Sequence, residues 1–424
     1  MSSKHIVIVG AGFGGLRLAR QLNNHPNYHI TLIDRNNFHQ FQPLFYQVAT
    51  ANLDASNISF PLRSIFKNSK NVTIRIADLN SIDSANNQIL TSIGTIIYEY
   101  LVIATGADTN FYGNEGLKTN AFPMKSTIEA LQLRNQIIKN FEDASVSDDT
   151  QIIEKLLTIV IIGGGPTGVE LAGALAEMKQ EKIPKEYPEL KINHMKIYLL
   201  EGGNKLLSNM SEVSSKTALS YLLKMGVIVK TNTLVKEYIE SDVLLSDGGI
   251  ISSSMVIWAA GVTGNLPSGI NKEFIASGNR IEVDGLNKVA QCSNIFAIGD
   301  IAFQPSSLYP KGLPQVANVA IDQATNLAAN FKNIVASKKL KPYRYNNKGT
   351  MATVGRNKAV VDLAAPNISF QGFFAWMVWM GLHLLLLIGF KNRIIVFVNW
   401  IFKYFTRNQS LSLLFKPLLR ERRS

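Results

Sequence analysis

Apolar runs that end on glycine or other small residues recur along this chain, and their spacing lays out its elements. In "KHIVIVGAGFGGLRLARQL" the β-branched run Ile6–Val9 predicts a buried parallel strand, and Leu16–Leu22 beyond the glycines predicts a helix. "HITLID" supplies the next strand and ends on Asp34. The same order returns in "LLTIVIIGGGPTGVELAGAL": a strand over Thr158–Ile162, a glycine turn, then a helix with Pro166 in its first turn, where a missing N–H does no harm. The polar, proline-containing stretch "KQEKIPKEYPELKINH" extends that helix into a loop before the strand in "KIYLLEGG" ends at Glu201. "YEYLVIATGADTNF" and "SNIFAIGDIA" each hold one more short strand closed by small residues. Strand–helix–strand units that appear twice predict an α/β fold.

The end of the chain is patterned differently. "FFAWMVWMGLHLLLLIGF", Phe373–Phe390, carries no formal charge and is apolar on nearly every face. Its length lies near the lower edge for a membrane-spanning helix, about 17–25 residues. "KNR" then precedes "IIVFVNWIFKYF", where Asn399, Lys403 and Thr406 fall three to four apart and share one face against Ile, Val, Phe and Trp. That pattern predicts an interfacial helix lying in the headgroup plane. Trp376, Trp379 and Trp400, three of the four tryptophans, fall in this tail, and indoles favour the membrane–water boundary. The tail is therefore expected to attach the chain to a lipid bilayer. Whether Phe373–Phe390 spans or lies in it stays open, and a core hairpin or dimer interface is the alternative. A chain cut after Ala364 is expected to keep its fold.

Composition narrows the classes. The 424 residues suffice for two or three domains, and 46% hydrophobic with 17% charged residues argues against wholesale disorder. A net charge of +12 suits an anionic partner such as nucleic acid, a lipid surface or a phosphorylated ligand. The terminus "LLRERRS" is basic, but no aromatic-interleaved platform or nucleic-acid module accompanies it, so no nucleic-acid partner is expected. One cysteine, Cys292, rules out a disulfide framework, a redox-active pair or a cysteine cluster within the chain, and is expected as a small buried residue. No histidine, cysteine and carboxylate cluster has metal-ligand spacing, so no metal is expected. His383, alone in an apolar run, is expected to be packed or interfacial. The first apolar run lacks a basic n-region and a cleavage site, which places the catalytic part on the cytoplasmic side.

The glycine turns carry the chemistry. Gly10, Gly12 and Gly15 stand at G-x-G-x-x-G spacing between strand and helix. The first permits the tight turn, the second lets backbone approach a pyrophosphate, and the third lets the helix lie close to the strand. The helix N-terminus faces the phosphates, and Asp34 is placed to accept from a ribose. Gly163, Gly165 and Gly168 repeat the spacing, with Glu201 as the acid. Gly202 and Gly203 follow it with no arginine for a 2′-phosphate, which favours NAD(H) over NADP(H). Two cradles in one chain suit a tightly held flavin and a diffusible nicotinamide. Ala104-Thr105-Gly106 and Gly299-Asp300 then bring small residues and a hydrogen-bonding acid towards a bulky cofactor.

Together these motifs resemble the two-dinucleotide-binding-domain flavoproteins. "FQPLFYQVAT", "VIWAAGV", "GTMATVGRNKAVVDL" and the apolar tail are similar to type II NADH dehydrogenases, which are single-chain NADH:quinone oxidoreductases. The resemblance implies two Rossmann-like domains, the second inserted in the first: an FAD-binding domain over 1–115 and 285–345, an NADH-binding domain over 116–284, and a C-terminal region over 346–424 with membrane-anchoring helices. It implies FAD at Gly10, Gly12, Gly15, Asp34, Arg35, Ala104, Thr105, Gly106 and Asp300, and NADH as co-substrate at Gly163, Gly165, Gly168 and Glu201. Glu170 matches a catalytic glutamate beside the nicotinamide and quinone sites, the alternative being a carboxylate favoured by the helix dipole. The family's quinone-proximal A-Q-x-A-x-Q becomes "ANVAID" here: Ala317 stays, Asn318 and Asp322 stand at the glutamine positions, and Gln323 lies just beyond. This departure leaves the quinone contacts open.

The implied reaction passes a hydride from NADH to FAD and two electrons to a membrane quinone, without proton pumping. The protein would be peripheral or monotopic on the cytoplasmic side of the cell membrane, its oligomeric state open with a homodimer among the options. Alternatives are a relative with another acceptor and a membrane-tethered NADH-sensing flavoprotein. A sulfide:quinone oxidoreductase needs cysteine chemistry that Cys292 alone cannot supply as a pair.

Overall fold

In the computed structural model, which describes residues 3–406 and 412–414, the chain forms two compact units. "LLRERRS" lies outside the described residues. The first unit comprises the chain up to Gln40, Ser59–Asp108 and Val262–Asn346. The second comprises Phe41–Ile58, Thr109–Gly261 and the chain from Asn347, so segments of the two units alternate along the chain. The segment Phe41–Ile58 and the tail both belong with the second cradle.

In the first unit five strands run in the order Ile295–Ala297, Tyr100–Ile103, Lys4–Val9, Tyr28–Asp34, Val72–Ile76, all parallel. Val9 sits opposite both Ile33 and Ile103, so Gly10, Asp34 and Ala104 leave the sheet side by side at its carboxyl edge. That edge is where open α/β sheets bind ligands. The helix Phe13–Gln21 packs against Ala317–Val335, and Tyr28 donates from its hydroxyl to the Phe331 carbonyl at 2.7 Å. A separate antiparallel meander, Leu79–Asp83, Gln88–Thr91 and Gly94–Ile97, completes the unit's sheets together with shorter pairings.

The second unit repeats the plan. Its parallel strands run Phe122–Pro123, Met255–Trp258, Thr158–Ile162, Lys196–Leu200, Ile228–Lys230. Ile162 sits opposite Leu200 and Trp258, which aligns Gly163, Glu201 and Ala259 as their counterparts are aligned in the first unit. An antiparallel sheet of Thr350–Gly355, Lys358–Ala364 and Asn367–Gln371 lies against the helix Pro166–Glu181. The approach is close enough that a Cβ on Gly173 would stand 1.9 Å from the Val354 carbonyl oxygen, so only glycine fits.

The tail departs from the sequence reading in three respects. The first helix spans Phe373–Leu386, only 14 residues, and the chain turns at Gly389, whose φ of +81° suits glycine. The next helix begins at Phe390 and runs to Thr406, so Lys391 and Arg393 lie within it rather than before it. At about 1.5 Å per residue the first helix is about 21 Å long, short of a hydrocarbon core of about 30 Å. Among the described residues no helix is long and apolar enough to cross a membrane.

The second departure is the direction of the polar face. Lys403 points into the protein and pairs with Glu177 at 3.3 Å, and Asn392 donates to the Ser56 and Asn57 carbonyls at 3.1 Å each. The outward face is largely apolar, with Phe390 78% and Phe405 77% exposed and Phe397, Val398 and Phe402 beside them, although Thr406 of the predicted polar face is exposed too. The tryptophans are the third: Trp379 and Trp400 are buried in the protein rather than set at a boundary. Ala375, Trp379, His383 and Leu387, four apart, form the buried stripe of the tail, and Ala375 shares a core with Ala359 and Val361. A cut after Ala364 therefore removes part of the second unit's core, and the tail is no detachable anchor. His383 stacks on Trp379 at 3.9 Å, donates from Nδ1 to the Trp379 carbonyl at 2.7 Å, and is pushed by burial to a pKa of about 4, in keeping with a packed histidine.

Asp362 ties this sheet to the helix Glu212–Lys224. Its carboxylate accepts from the Ser211 amide (2.6 Å), the Ser211 hydroxyl (2.9 Å) and the Ser214 hydroxyl (2.6 Å). Burial alone would raise its pKa, but these bonds and one from Ser369 outweigh it and hold it below the usual value. A depressed carboxylate adds stability above its unfolded pKa of about 3.9, and that stability is lost as pH falls through the lower folded value. Asp362→Asn should therefore lower stability by about 1–2 kcal/mol at pH 7 in urea unfolding. The difference from wild type should shrink as pH falls below about 4 and through the depressed folded value, beneath which both side chains are neutral.

Candidate functional site

The two cradles have matching geometry. Gly10 and Gly163 take φ of +103° and +111°, and an added Cβ would meet Ala104 O at 2.1 Å and Ala259 O at 2.6 Å. A Cβ on Gly15 would lie 1.8 Å from Gly10 O, and one on Gly168 1.9 Å from Gly163 O. Turn and packing thus require the first and third glycines of each triplet. The middle ones differ. Gly12 and Gly165 are extended, conformations open to any residue, and an added Cβ would meet nothing within 4 Å. Nothing in the protein demands glycine there, so the space in front of each helix is what the missing side chain preserves. Neither helix has a side-chain N-cap, which leaves first-turn N–H groups available to an anion.

The acids hold the turns. Asp34 accepts from the Ala11 amide at 2.7 Å and the Asn36 amide at 2.7 Å. Burial raises its pKa against the pull of those bonds. Glu201 accepts from the Gly164 and Gly203 amides, both at 2.6 Å. The sequence did not single out His39, which is buried and donates from Nδ1 to the Ala11 carbonyl at 2.8 Å, fixing the first turn from behind. Arg35 is exposed, 3.8 Å from Asp78. Thr105 and Asn265 exchange hydrogen bonds at 2.7 and 3.2 Å, which fixes the Ala104-Thr105-Gly106 strand end.

Around Asp300 the ordering falls to glutamines. Gln315 donates to the Asp300 carbonyl at 2.9 Å, and the buried Gln323 accepts from the Gly299 amide at 2.8 Å. Gln323 thus supports this turn from its helix. Asn318, in the first turn of its helix, accepts from the Val319 amide at 2.9 Å.

The second unit also contains a partly open cavity. Helix Pro166–Glu181, strand Thr350–Gly355, the segment around Tyr46 and both tail helices contribute its walls. Trp376, Trp379, Trp400, Tyr46 and Tyr404 give it aromatic surfaces. Glu170 lines it, only two residues beyond Gly168 of the cradle, and its carboxylate accepts from the Thr353 amide at 3.3 Å. Glu170 is only partly exposed, and burial dominates and raises its pKa to about 8. The Thr353 amide and the Trp379 indole lower it only in part, the indole without a hydrogen bond of normal geometry. The helix-dipole reading, which would depress the carboxyl, loses to desolvation here.

Farther along the same helix Glu177 accepts from the Arg356 amide and pairs with Lys403, the two side chains only 15% and 22% exposed. The Arg356 guanidinium lies 4.9 Å over the Tyr404 ring and donates to the Tyr404 carbonyl at 2.9 Å. Two buried polar atoms of the lining, Asn52 Oδ1 and Trp379 Nε1, have no hydrogen-bond partner among the described residues. An aromatic slot with unpaired polar atoms suits a flat molecule bearing polar groups. "FQPLFYQVAT" entered the sequence reading only as part of the family resemblance and gave no reason to choose Tyr46 or Gln47. Cys292 is half-buried, with its thiol pKa raised by burial.

Comparison with known proteins agrees with this geometry. Residues 4–324 match the family described as pyridine nucleotide-disulphide oxidoreductase, and residues 347–408 match the NDH2 C-terminal domain. A type II NADH:quinone oxidoreductase of Mycobacterium tuberculosis, NdhA, is 34% identical over 412 residues, covering 93% of this chain and 86% of that protein. The type II NADH:quinone oxidoreductase of Haemophilus influenzae is 30% identical, covering 90% of this chain and 92% of that protein. Among solved structures, Plasmodium falciparum NDH2 in complex with NADH superposes with a TM-score of 0.89 at 21% identity, over 98% of this chain and 100% of that one. Sulfide:quinone oxidoreductase of Aquifex aeolicus reaches 0.73 at 21% identity, over 96% of each chain, a likeness of fold alone. With two cradles of one design, a matching C-terminal domain and relatives at this identity over most of its length, the chain belongs to the type II NADH:quinone oxidoreductase family.

Proposed function

We propose that this chain oxidises NADH and reduces a membrane quinone, using FAD held at the first cradle. The observation that carries this reading is one helix, Pro166–Glu181, whose start forms the second cradle and whose next turn brings Glu170 to an aromatic cavity. When bound, FAD supplies the two-electron chemistry that links a hydride donor to a quinone. Gly12 and the helix behind it would take the FAD pyrophosphate, Asp34 the ribose, and Gly10, Gly15, Ala104, Thr105 and Gly106 the close backbone approach. Asp300 and Arg35 would add polar contacts. Gly163, Gly165 and Gly168 would seat the pyrophosphate of NADH and Glu201 its ribose, with no cation beside Glu201 in sequence to favour a 2′-phosphate. The cavity would take the quinone ring between aromatic faces, with Glu170 offering a neutral carboxyl at neutral pH. Ala317, Asn318 and Asp322 keep the acceptor-contact role that the family pattern suggests.

The exposed apolar residues of both tail helices would seat the protein on the membrane as a peripheral attachment, from the cytoplasmic side. The membrane-tethered sensor reading shares the cradles but gives the cavity no acceptor to fill it.

Anaerobic addition of NADH should bleach a bound flavin, and added quinone should restore its colour within the turnover time. Bleaching without quinone-dependent recovery would favour the sensor. Glu201→Gln should raise KM for NADH roughly tenfold, since the new NH₂ group must face the Gly164 or Gly203 amide and a weaker acceptor meets the ribose. An unchanged KM removes Glu201 from the site.

The Glu170 carboxyl is neutral below its pKa of about 8 and ionises above it. Accordingly kcat/KM for quinone should fall as pH rises past about 8, and that inflection should vanish in Glu170→Gln. An identical inflection in the variant would assign it elsewhere. In vesicle sedimentation, Phe397→Glu with Phe402→Glu should weaken binding at least about tenfold, because each buried Phe contributes about 1.5–3 kcal/mol. High salt should release little of the wild type and detergent most of it. Release by salt alone would show that the tail is not inserted.

A further inference from the structure

Gln47 sits between a residue of the tail and a residue of the cavity wall. The Trp400 indole N–H reaches Gln47 Oε1 at 2.8 Å, and Gln47 Nε2 reaches the Tyr46 hydroxyl at 2.9 Å. An indole nitrogen only donates, so the amide oxygen must be the atom facing Trp400, and the amide orientation is fixed. Its NH₂ group then faces Tyr46 and likewise only donates. The phenol oxygen is thereby made an acceptor from Gln47, and its own hydrogen must point elsewhere. Among the described residues no hydrogen bond from the Tyr46 hydroxyl is formed, although Tyr46 is only 6% exposed. Tyr46, Gln47, Trp400 and Glu170 all line the cavity.

We propose that Tyr46 is the hydrogen-bond donor to a carbonyl oxygen of the quinone, and that Gln47 and Trp400 are positioning residues which leave its hydroxyl no other role. This rests on the reading that the cavity takes the quinone. The chain of donors runs in one direction, from the tail helix through the amide to the phenol, and it ends at a donor with nothing to receive it until an acceptor arrives. A quinone carbonyl accepts and cannot donate, so the polarity matches. It gains electron density on reduction, so the bond strengthens as the reaction proceeds. Burial holds the Tyr46 pKa well above its usual value, with the Glu170 charge adding to it, so the phenol keeps its hydrogen across the working range. Because Trp400 belongs to the tail helix, the seating of that helix decides whether the donor is aimed.

Gln47→Glu tests the direction of the chain without changing its shape. A carboxylate accepts from both sides, so Trp400 would stay bonded while Tyr46 turns its hydrogen onto residue 47 and away from the cavity. With a short-chain benzoquinone, Gln47→Glu and Tyr46→Phe should each lower kcat/KM by about 10-fold. The double variant should lose no more than either alone, because both remove the same bond. Flavin reduction by NADH, followed in single turnover, should match wild type throughout, a split between half-reactions that general loosening would not produce. Trp400→Phe, which frees the amide to flip, should give a smaller loss of about 3-fold in the same half-reaction and serves if Gln47→Glu folds poorly. Wild-type kcat/KM in Tyr46→Phe, or additive losses in the double variant, would overturn the donor assignment. Ala174→Leu, which fills the cavity from another wall, separates the two layers. If it slows quinone reduction while Tyr46→Phe does not, the donor assignment alone is wrong. If it leaves quinone reduction untouched, the cavity reading fails and the donor role with it.

Discussion

The close approach of helix Pro166–Glu181 to strand Thr350–Gly355 is the constraint on which the second unit depends. With no room for a Cβ at Gly173, helix backbone and strand backbone touch directly. Glu170, three residues earlier, is thereby brought beside the Thr353 amide, and Glu177, four residues later, beside the Arg356 amide. One glycine thus sets two carboxylates against one strand, and the two meet opposite fates. Glu170 finds one long hydrogen bond and, among the described residues, no cation, so burial raises its pKa to about 8. Glu177 finds Lys403 and forms an ion pair with the tail. The difference lies in what the tail supplies at each turn of the helix: indole surface at the first and an ammonium at the second.

Much of the geometry of the cradles could be read directly from the chain, because each is local. Strand, glycine triplet, helix and closing acid fall within 31 residues in the first cradle, from Lys4 to Asp34, and every part of the turn is fixed by its immediate neighbours. Register did the rest, since parallel strands that end level must present Gly10, Asp34 and Ala104 together. The middle glycines, whose absent side chains the protein does not need, separate a ligand cradle from a mere tight turn. Sequence spacing raised that distinction and only geometry could draw it.

The cavity was not legible in the same way. Its walls come from residues near 46, 170, 353, 379 and 400, so no window of sequence contains it. The tail was misread for a related reason. Periodicity identifies two faces of a helix but not which faces water, and the Asn399–Lys403 face was assigned to the headgroups on the ordinary rule that polar groups face outward. A helix packed on a carboxylate reverses that rule: Lys403 and Trp400 turn inward to Glu177 and Gln47, and phenylalanines are left outside. Aromatic content gave the same false lead, because indoles that line a cavity and indoles that sit at a membrane boundary look alike in sequence.

The Glu177–Lys403 pair explains why the tail is held in one position rather than merely held. Both side chains are largely removed from water, and desolvation of two such charges offsets most of their attraction, so the pair adds little net stability. Its effect is on the alternatives. A slip of the tail helix by one turn, about 5.4 Å, would leave Glu177 buried without a cation and part Trp400 from Gln47, whereas the apolar contacts of the helix would hardly distinguish the two positions. These polar contacts, with those of Asn392 and Arg356, therefore fix a register that an apolar face cannot. They do so on the inner face, so the outer face is free to be as apolar as a lipid surface requires without loosening the inner one. On the proposed reading the same helix would meet the membrane on one side and wall the cavity on the other, because different kinds of interaction govern each side.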